Sequence, residues 1–226
     1  MEGSSPSRAS GHRFAVLDSA RQITDDSDLS TLELKKYVGI PLATRIRHWL
    51  IEQPDRKMLS IDFTGVRAMN LSVAEELGPT LMQTINNDVS FAHKYPVFMI
   101  DAPEPLYTYA RAFSQLNWNG LARVRNLTEA TAFASPIFVR GTDTFVILGM
   151  LSDQMMRILD LAEKRAQQGL PVTSETLQEL RFLTGTQLSA RSKRLTELYA
   201  RRLLAFVDNP EKPKERLFRP VWRMDE

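Results

Sequence analysis

The hydrophobic positions of residues 31–150 switch repeatedly between a two-residue period and a helical period. Residues 58–66 alternate apolar and polar side chains, which predicts a strand. A helix is predicted next, because Ser72 as N-cap and Glu75 have the spacing of a capping box and apolar residues then recur at helical intervals. The apolar run at residues 96–100 predicts a further buried strand. Strands that alternate with helices in this order predict an α/β layer.

The other elements of this region are predicted from the same two periods and from the positions of proline and glycine. They are a strand at residues 31–38, a helix with Pro41 in its first turn, a helix opened by Pro103 and Pro105, a strand at 121–125, and a hairpin with strands 136–139 and 144–148. Residues 1–30 are mostly small and polar. We therefore expect a flexible N-terminal segment in which residues 14–17 are apolar enough to dock as a strand.

From Ser152 onward the hydrophobic period becomes helical. Ser152 is the predicted N-cap of a first helix, and Gly169 suits the left-handed residue at its end. A second helix is predicted after residue 173 or 174, and a third over residues 187–201, joined by a short turn that contains Gly185. Residues 203–207 and 217–222 then predict two strands around a polar, proline-containing loop. This order of elements is that of a winged helix-turn-helix.

The third helix has two unlike faces. Leu188, Leu195 and Leu198 form its predicted inward stripe, with Arg191 beside them. Small polar and basic side chains remain for the outward face, where they could approach base edges and phosphates without steric bulk. The segment 183–204 resembles the helix-turn-helix of bacterial winged-helix regulators, with Arg202 at a position where those families often keep glycine.

Composition and charge limit the classes of function. The chain has 226 residues, no cysteine and a net charge of only +2, so disulfides and thiolate chemistry are excluded and the total charge does not by itself indicate nucleic acid. Residues 187–226 nevertheless carry ten basic and six acidic side chains. This excess of basic residues is also explained by a solvent-exposed helix face that binds nothing.

Catalytic and metal chemistry are not indicated. The carboxylates of Asp62, Glu75 and Glu76 have no base placed beside a nucleophile, and the three histidines are scattered without metal-ligand spacing. We expect neither an enzyme nor a cofactor or metal site. The apolar runs are too short to cross a bilayer, and the N-terminus lacks a signal core, so we expect a cytoplasmic protein without a membrane partner.

Three segments of the α/β region carry a family resemblance. They are residues 39–45 (GIPLATR), 62–66 (DFTGV) followed by 72–77 (SVAEEL), and 95–100 (YPVFMI). Together they resemble the STAS-like domains that are related to anti-sigma-factor antagonists. The resemblance implies a mixed sheet with helices, and a role in sensing or in protein interaction.

In the antagonist family a serine at the junction of this loop and helix is phosphorylated to switch partners. Alignment through Asp62 and Val66 puts that position on Leu71, which has no hydroxyl, and Ser72 follows it. A role as helix cap explains Ser72 without a switch. Phosphorylation there would add negative charge where the helix dipole tolerates it, so Ser72 is also a candidate switch residue.

These observations predict three regions: a flexible segment at 1–30, a STAS-like α/β domain at 31–150 and a winged helix-turn-helix at 151–226. The predicted function is a DNA-binding transcriptional regulator of bacterial type, acting as a homodimer on double-stranded DNA because one module makes few contacts. The alternative is a partner-switching or protein-interaction component whose winged helix docks protein. The side chains expected to contact DNA are Thr186, Gln187, Ser189, Ser192, Lys193, Arg194, Lys212, Lys214 and Arg216.

Overall fold

The structure, a computed structural model, describes residues 12–29, 31–32, 38–101, 105, 107–108, 110–112, 135–139, 144–148, 151–209 and 216–224. The strands are β1 (Arg13–Ala15), β2 (Thr31–Leu32), β3 (Met58–Asp62), β4 (Ala68–Met69), β5 (Tyr95–Ile100), β6 (Ser135–Val139), β7 (Thr144–Leu148), β8 (Leu204–Val207) and β9 (Leu217–Pro220). The helices are α1 (Val16–Thr24), α2 (Gly39–Glu52), α3 (Leu71–Glu75), α4 (Leu81–Asn87), α5 (Asp153–Gln167) and α6 (Leu188–Ala200).

A five-stranded sheet with the order β1-β3-β5-β6-β7 forms the centre of the fold. The first four of these strands are parallel, and β7 returns antiparallel to β6, as the predicted hairpin requires. The prediction of a mixed α/β fold is confirmed. Of the other predicted elements, the strand at 121–125 lies outside the described residues, and the helix opened by the two prolines is described only in part, with residues 110–112 helical.

Both faces of this sheet are buried, and each belongs to a different hydrophobic core. Leu59 and Ile61 of β3 pack with α1 to α4, whereas Met58 and the alternate residues of β5 pack with α5, α6 and the β8–β9 hairpin. Successive residues of a strand point to opposite faces, so the two-residue period distributes β3 between the two cores. The second core therefore runs across residue 150, the boundary that the sequence predicts between two domains.

The N-terminal part contributes to the first core. Residues 13–15 form the edge strand β1, and α1 follows without a break. Val16, Leu17 and Ala20 are buried on the inner face of α1, because their spacing forms a stripe on one side of the helix. β1 and α1 thus pack into the α/β layer, and the prediction of a flexible segment is wrong for them because α1 carries this apolar stripe.

A π-helical turn, Glu76–Thr80, joins α3 to α4. Proline at position 79 lacks the N–H that an α-helix needs, and its ring would clash with the carbonyl group one turn earlier. A wider turn reduces that conflict at Pro79. The predicted apolar stripe is retained, since Leu77, Leu81 and Ile85 are all buried.

The C-terminal unit follows the predicted order of elements except at its second helix. Ser152 caps α5 by accepting a hydrogen bond from the N–H of Met155, and Gly169 has the expected positive φ of 75°. In place of the second helix there are two 3-10 turns, Thr176–Glu179 and Arg181–Leu183. Leu180 between them is extended, and this conformation prevents a continuous α-helix.

The final hairpin pairs β8 with β9 in the antiparallel register Val207↔Leu217, as predicted. A single bridge from Val172 to Phe218 adds the segment after α5 to its edge. None of the helices in the described part of the chain has the length and apolar character to cross a bilayer.

Candidate nucleic-acid interface

Four of the nine residues that the sequence selects for DNA contact lie on α6, and Gln187 is its N-cap. Gln187, Ser189 and Lys193 are exposed, while Ser192 and Arg194 are half-buried. The opposite face packs into the second core through Leu195 and Leu198. A groove-binding helix requires this division, because the side that meets a ligand must not be needed by the core. Thr186 just before the helix is half-buried, and its hydroxyl donates to the carbonyl oxygen of Leu183 at 2.7 Å.

The first turn of α6 projects beyond the core. Residues 187–190 are all exposed, and the predicted inward position of Leu188 is wrong, since 51% of its surface is accessible. Arg191, one turn later, is buried instead. The reason is the length of the helix. The apolar stripe extends back to Leu188 at helical spacing, but the core covers α6 only from Arg191 onward.

Several arginines that the sequence counts as surface charge are inside the protein. Arg201 is buried and its guanidinium donates to Glu197 at 2.6 Å. Arg202 is also buried, and its guanidinium donates to the carbonyl oxygens of Ala92 and Ile85 at 2.7 and 3.2 Å. Burial lowers the pKa of both arginines from its ordinary value. The basic surface of the unit is therefore smaller than the residue count indicates, and Lys193 is its most exposed member on α6.

The backbone at Arg202, in the turn after α6, has an unusual conformation. Its φ is +59°, in the left-handed region that favours glycine. Its hydrogen bonds to Ala92 and Ile85 hold this conformation, because they attach the turn after α6 to the end of α4 and to the segment before β5.

The hairpin beside α6 supplies one described cation of the predicted wing. Arg216 is exposed and immediately precedes β9. Lys212 and Lys214 lie outside the described residues. Arg219 on β9 donates to the carbonyl oxygen of Gly169 at 2.8 Å, so the hairpin is attached to the end of α5.

Ser72 is exposed but is not the helix cap. The side chain of Asn70 accepts the N–H of Val73 at 2.9 Å, which makes Asn70 the N-cap of α3, and the hydroxyl of Ser72 donates to the same Asn70 oxygen at 3.1 Å. The capping-box prediction is therefore wrong by two residues. Asparagine is among the strongest N-cap residues, so the sequence did contain the signal.

The carboxylate of Asp62 is a structural group. The sequence places it on the polar side of β3, but it is buried, 2.5 Å from the guanidinium of Arg13, and it accepts hydrogen bonds from the N–H and hydroxyl of Thr64. These contacts hold the turn that follows β3. Among the described residues no cluster of histidine, aspartate and glutamate could hold a metal ion.

Comparison of the chain with protein-family models, with curated proteins and with solved structures finds no match. The interpretation of this surface therefore depends on its geometry and charge.

Proposed function

We propose that this chain is a DNA-binding regulator that inserts the N-terminal half of α6 into the major groove. The observation that carries the proposal is the first turn of α6, in which residues 187–190 are all exposed, with Ser189 in that turn and Lys193 in the next turn also exposed. A helix that enters a groove must extend past the body of its domain, and its first turn contacts base edges in the known geometries.

The electrostatics of this helix end support the same orientation. Gln187 at the N-cap makes no side-chain hydrogen bond to the first turn, and the exposed helix terminus carries the positive end of the helix dipole. Such a terminus favours phosphate oxygens. Lys193 and Arg194 add cations one turn further along, and Arg216 on the adjacent hairpin extends the positive surface towards the wing.

In this proposal the STAS-like α/β layer senses a signal or binds a partner, and two copies of the chain together occupy one DNA site. A homodimer supplies the number of contacts that one small module lacks. The continuous second core supports coupling between the two functions, because the sheet and α6 pack against the same apolar side chains.

One observation favours a second candidate, a protein-docking winged helix. Leu188 is a large exposed apolar side chain in the first turn of α6, beside Ser189. Protein interfaces are built around such apolar anchors, whereas DNA interfaces are more polar and more basic.

Salt-dependent binding to duplex DNA separates the two candidates. We expect wild-type protein to bind random duplex at low salt, and the double variant Lys193→Gln, Arg194→Gln to reduce the slope of log K against log[salt] by about one unit for each lost phosphate contact. The matched control Arg157→Gln, Lys164→Gln removes two exposed cations from α5 and should leave the slope unchanged. Absence of binding at low salt, or equal slopes for both double variants, contradicts the proposal.

A further inference from the structure

A cavity of about 270 Å³ lies where the C-terminal unit meets the α/β layer. Its walls come from α6, from both strands of the β8–β9 hairpin, and from the segments that precede β3 and β5. The lining residues are Arg56, His93, Thr196, Tyr199, Phe206, Arg216 and Phe218. Of these residues only Arg216 also belongs to the surface that is proposed to contact DNA.

Three aromatic rings form the apolar part of the wall. Phe218 contacts Phe206 with ring centroids 6.0 Å apart and Tyr199 with centroids 6.3 Å apart, both in edge-to-face arrangements. Aromatic side chains are surfaces on which planar ring systems such as nucleic-acid bases stack. The hydroxyl of Tyr199 lies 3.4 Å from Nδ1 of His93, which joins this aromatic wall to the α/β layer.

Two guanidinium groups form the charged part of the wall. Arg56 has a φ of +60°, a conformation that arginine rarely adopts. Its backbone N–H donates to the carbonyl oxygen of His93 at 2.8 Å. Its guanidinium pairs with the exposed carboxylate of Asp208 at 2.7 Å. Strained backbone of this kind clusters at active sites, ligand sites and switch regions. Arg216 is the second cation of the wall, so the two guanidinium groups outnumber the one carboxylate, that of Asp208, which Arg56 contacts.

We propose that this cavity binds a small planar aromatic anion, with the ring system on the aromatic wall and the anionic group on Arg56 and Arg216. The cavity is slightly smaller than the roughly 300–1,000 Å³ of sites for drug-sized ligands, so one ring system with one anionic group is the size that fits. Phenyl phosphate has this chemistry, and a nucleoside monophosphate has the same two groups joined through a ribose. Inorganic phosphate lacks the ring and a free nucleoside lacks the charge, and neither uses both walls.

Occupancy would connect α6 to the sheet, because Thr196 and Tyr199 belong to α6 while Arg56 and His93 belong to the α/β layer. Binding of the ligand does not depend on the DNA proposal. Any effect of the ligand on DNA affinity does, and the experiment therefore measures ligand binding alone.

Isothermal titration calorimetry of the full chain tests the proposal with adenosine 5′-monophosphate and phenyl phosphate as probes. We expect one-to-one binding of at least one probe with a Kd below about 1 mM, and binding at least about tenfold weaker for adenosine and for inorganic phosphate. The proposal is overturned if neither probe binds at about 5 mM, or if inorganic phosphate binds as tightly as the better probe.

Two variants locate the site. Thr196→Trp places a large ring at an exposed lining position and should reduce probe affinity at least about tenfold without removing core contacts. Arg56→Asn removes one cation and keeps a residue type that tolerates positive φ, and it should also weaken binding about tenfold. The control Lys164→Gln should leave affinity unchanged. Circular dichroism confirms that each variant is folded, and wild-type affinity in folded Thr196→Trp contradicts the assignment to this cavity.

Discussion

The guanidinium of Arg202 donates to the main-chain carbonyl oxygen of Ala92 at 2.7 Å, across 110 positions of sequence. This contact joins the turn after α6 to the segment that leads into β5. A second hydrogen bond from Arg202 reaches the carbonyl oxygen of Ile85 at the end of α4. Because the arginine is buried, both carbonyl groups would lose their partner if the guanidinium were removed.

Substitution of Arg202 should therefore separate its backbone role from its side-chain role. We expect Arg202→Ala to lower the free energy of unfolding by about 3 kcal/mol, because buried charge-assisted hydrogen bonds are lost and alanine at positive φ stays strained. Arg202→Gly should lower the free energy of unfolding by about 1 kcal/mol less than Arg202→Ala does, since glycine adopts this backbone conformation freely. Urea unfolding measures both values. A glycine variant less stable than the alanine variant would show that the left-handed conformation is not retained in solution.

Glu163 links stability to pH at the C-terminal end of the chain. Its carboxylate accepts hydrogen bonds from the indole of Trp222 at 2.7 Å and from the guanidinium of Arg223. Burial raises the pKa of this carboxyl, but the hydrogen bonds from Arg223 and Trp222 and the charge of Arg223 outweigh it and hold the pKa below its ordinary value of 4.5. The lowered pKa means that the charged form stabilises the fold.

We expect Glu163→Gln to lower the free energy of unfolding by about 1 kcal/mol at pH 7, the size of a modest charge-assisted interaction. The contribution of the carboxylate is complete above pH 4.5 and is lost as the pH falls through the lowered pKa of the folded state. The difference between wild type and variant should therefore shrink below pH 4.5 in urea unfolding measured across this range. A difference that stays constant with pH contradicts the link to this carboxyl group.

Substitutions at the start of α3 should show that Asn70, and not Ser72, is the residue that caps this helix. Asn70→Ala should lower the free energy of unfolding by about 1 kcal/mol, because the N–H of Val73 loses its acceptor. Ser72→Ala should change the free energy of unfolding by less than about 0.5 kcal/mol, since the hydroxyl is exposed and its described hydrogen bond is to the Asn70 side chain. Thermal or urea unfolding of the two variants provides the comparison. The reverse order would restore Ser72 as the cap.

Gly39 allows α2 to approach the helix that follows β4. A Cβ atom at this position would lie 3.2 Å from Cβ of Glu76 and 3.4 Å from the backbone Cα of Val73. We expect Gly39→Val to lower the free energy of unfolding by about 2 kcal/mol through overpacking. The neighbouring control Ile40→Val, at an exposed position, should stay within about 0.5 kcal/mol of wild type. Equal unfolding midpoints for the two variants would contradict the close approach.

Local patterns were sufficient for most secondary structure. The alternation of β3, the capped α5 with Met155 inward, and the final hairpin are each encoded within a few neighbouring residues. Their prediction succeeded because periodicity, caps and turns depend on short-range geometry. The prediction of a second helix in the C-terminal unit was wrong because Leu180 is extended and separates two 3-10 turns. No strong local signal in the sequence indicates this conformation.

The candidate site depended on information that is not local. The sequence correctly selected Ser189 and Lys193 as exposed positions of α6, since the helical period leaves them opposite Leu195 and Leu198. It did not foresee the exposure of Leu188 or the burial of Arg202. The cavity was also missed, because its walls come from segments that are distant in sequence.

By itself the sequence determined which residues form helices and strands and which side of each is apolar, because these properties repeat along a short stretch of chain. Only the tertiary structure decided which residues pack against each side of these helices and strands. Burial of a polar group such as Asp62 or Arg202 is favourable only where a distant residue supplies its partner, here Arg13 and Ala92. That requirement joins positions far apart in the chain, and no local pattern records it.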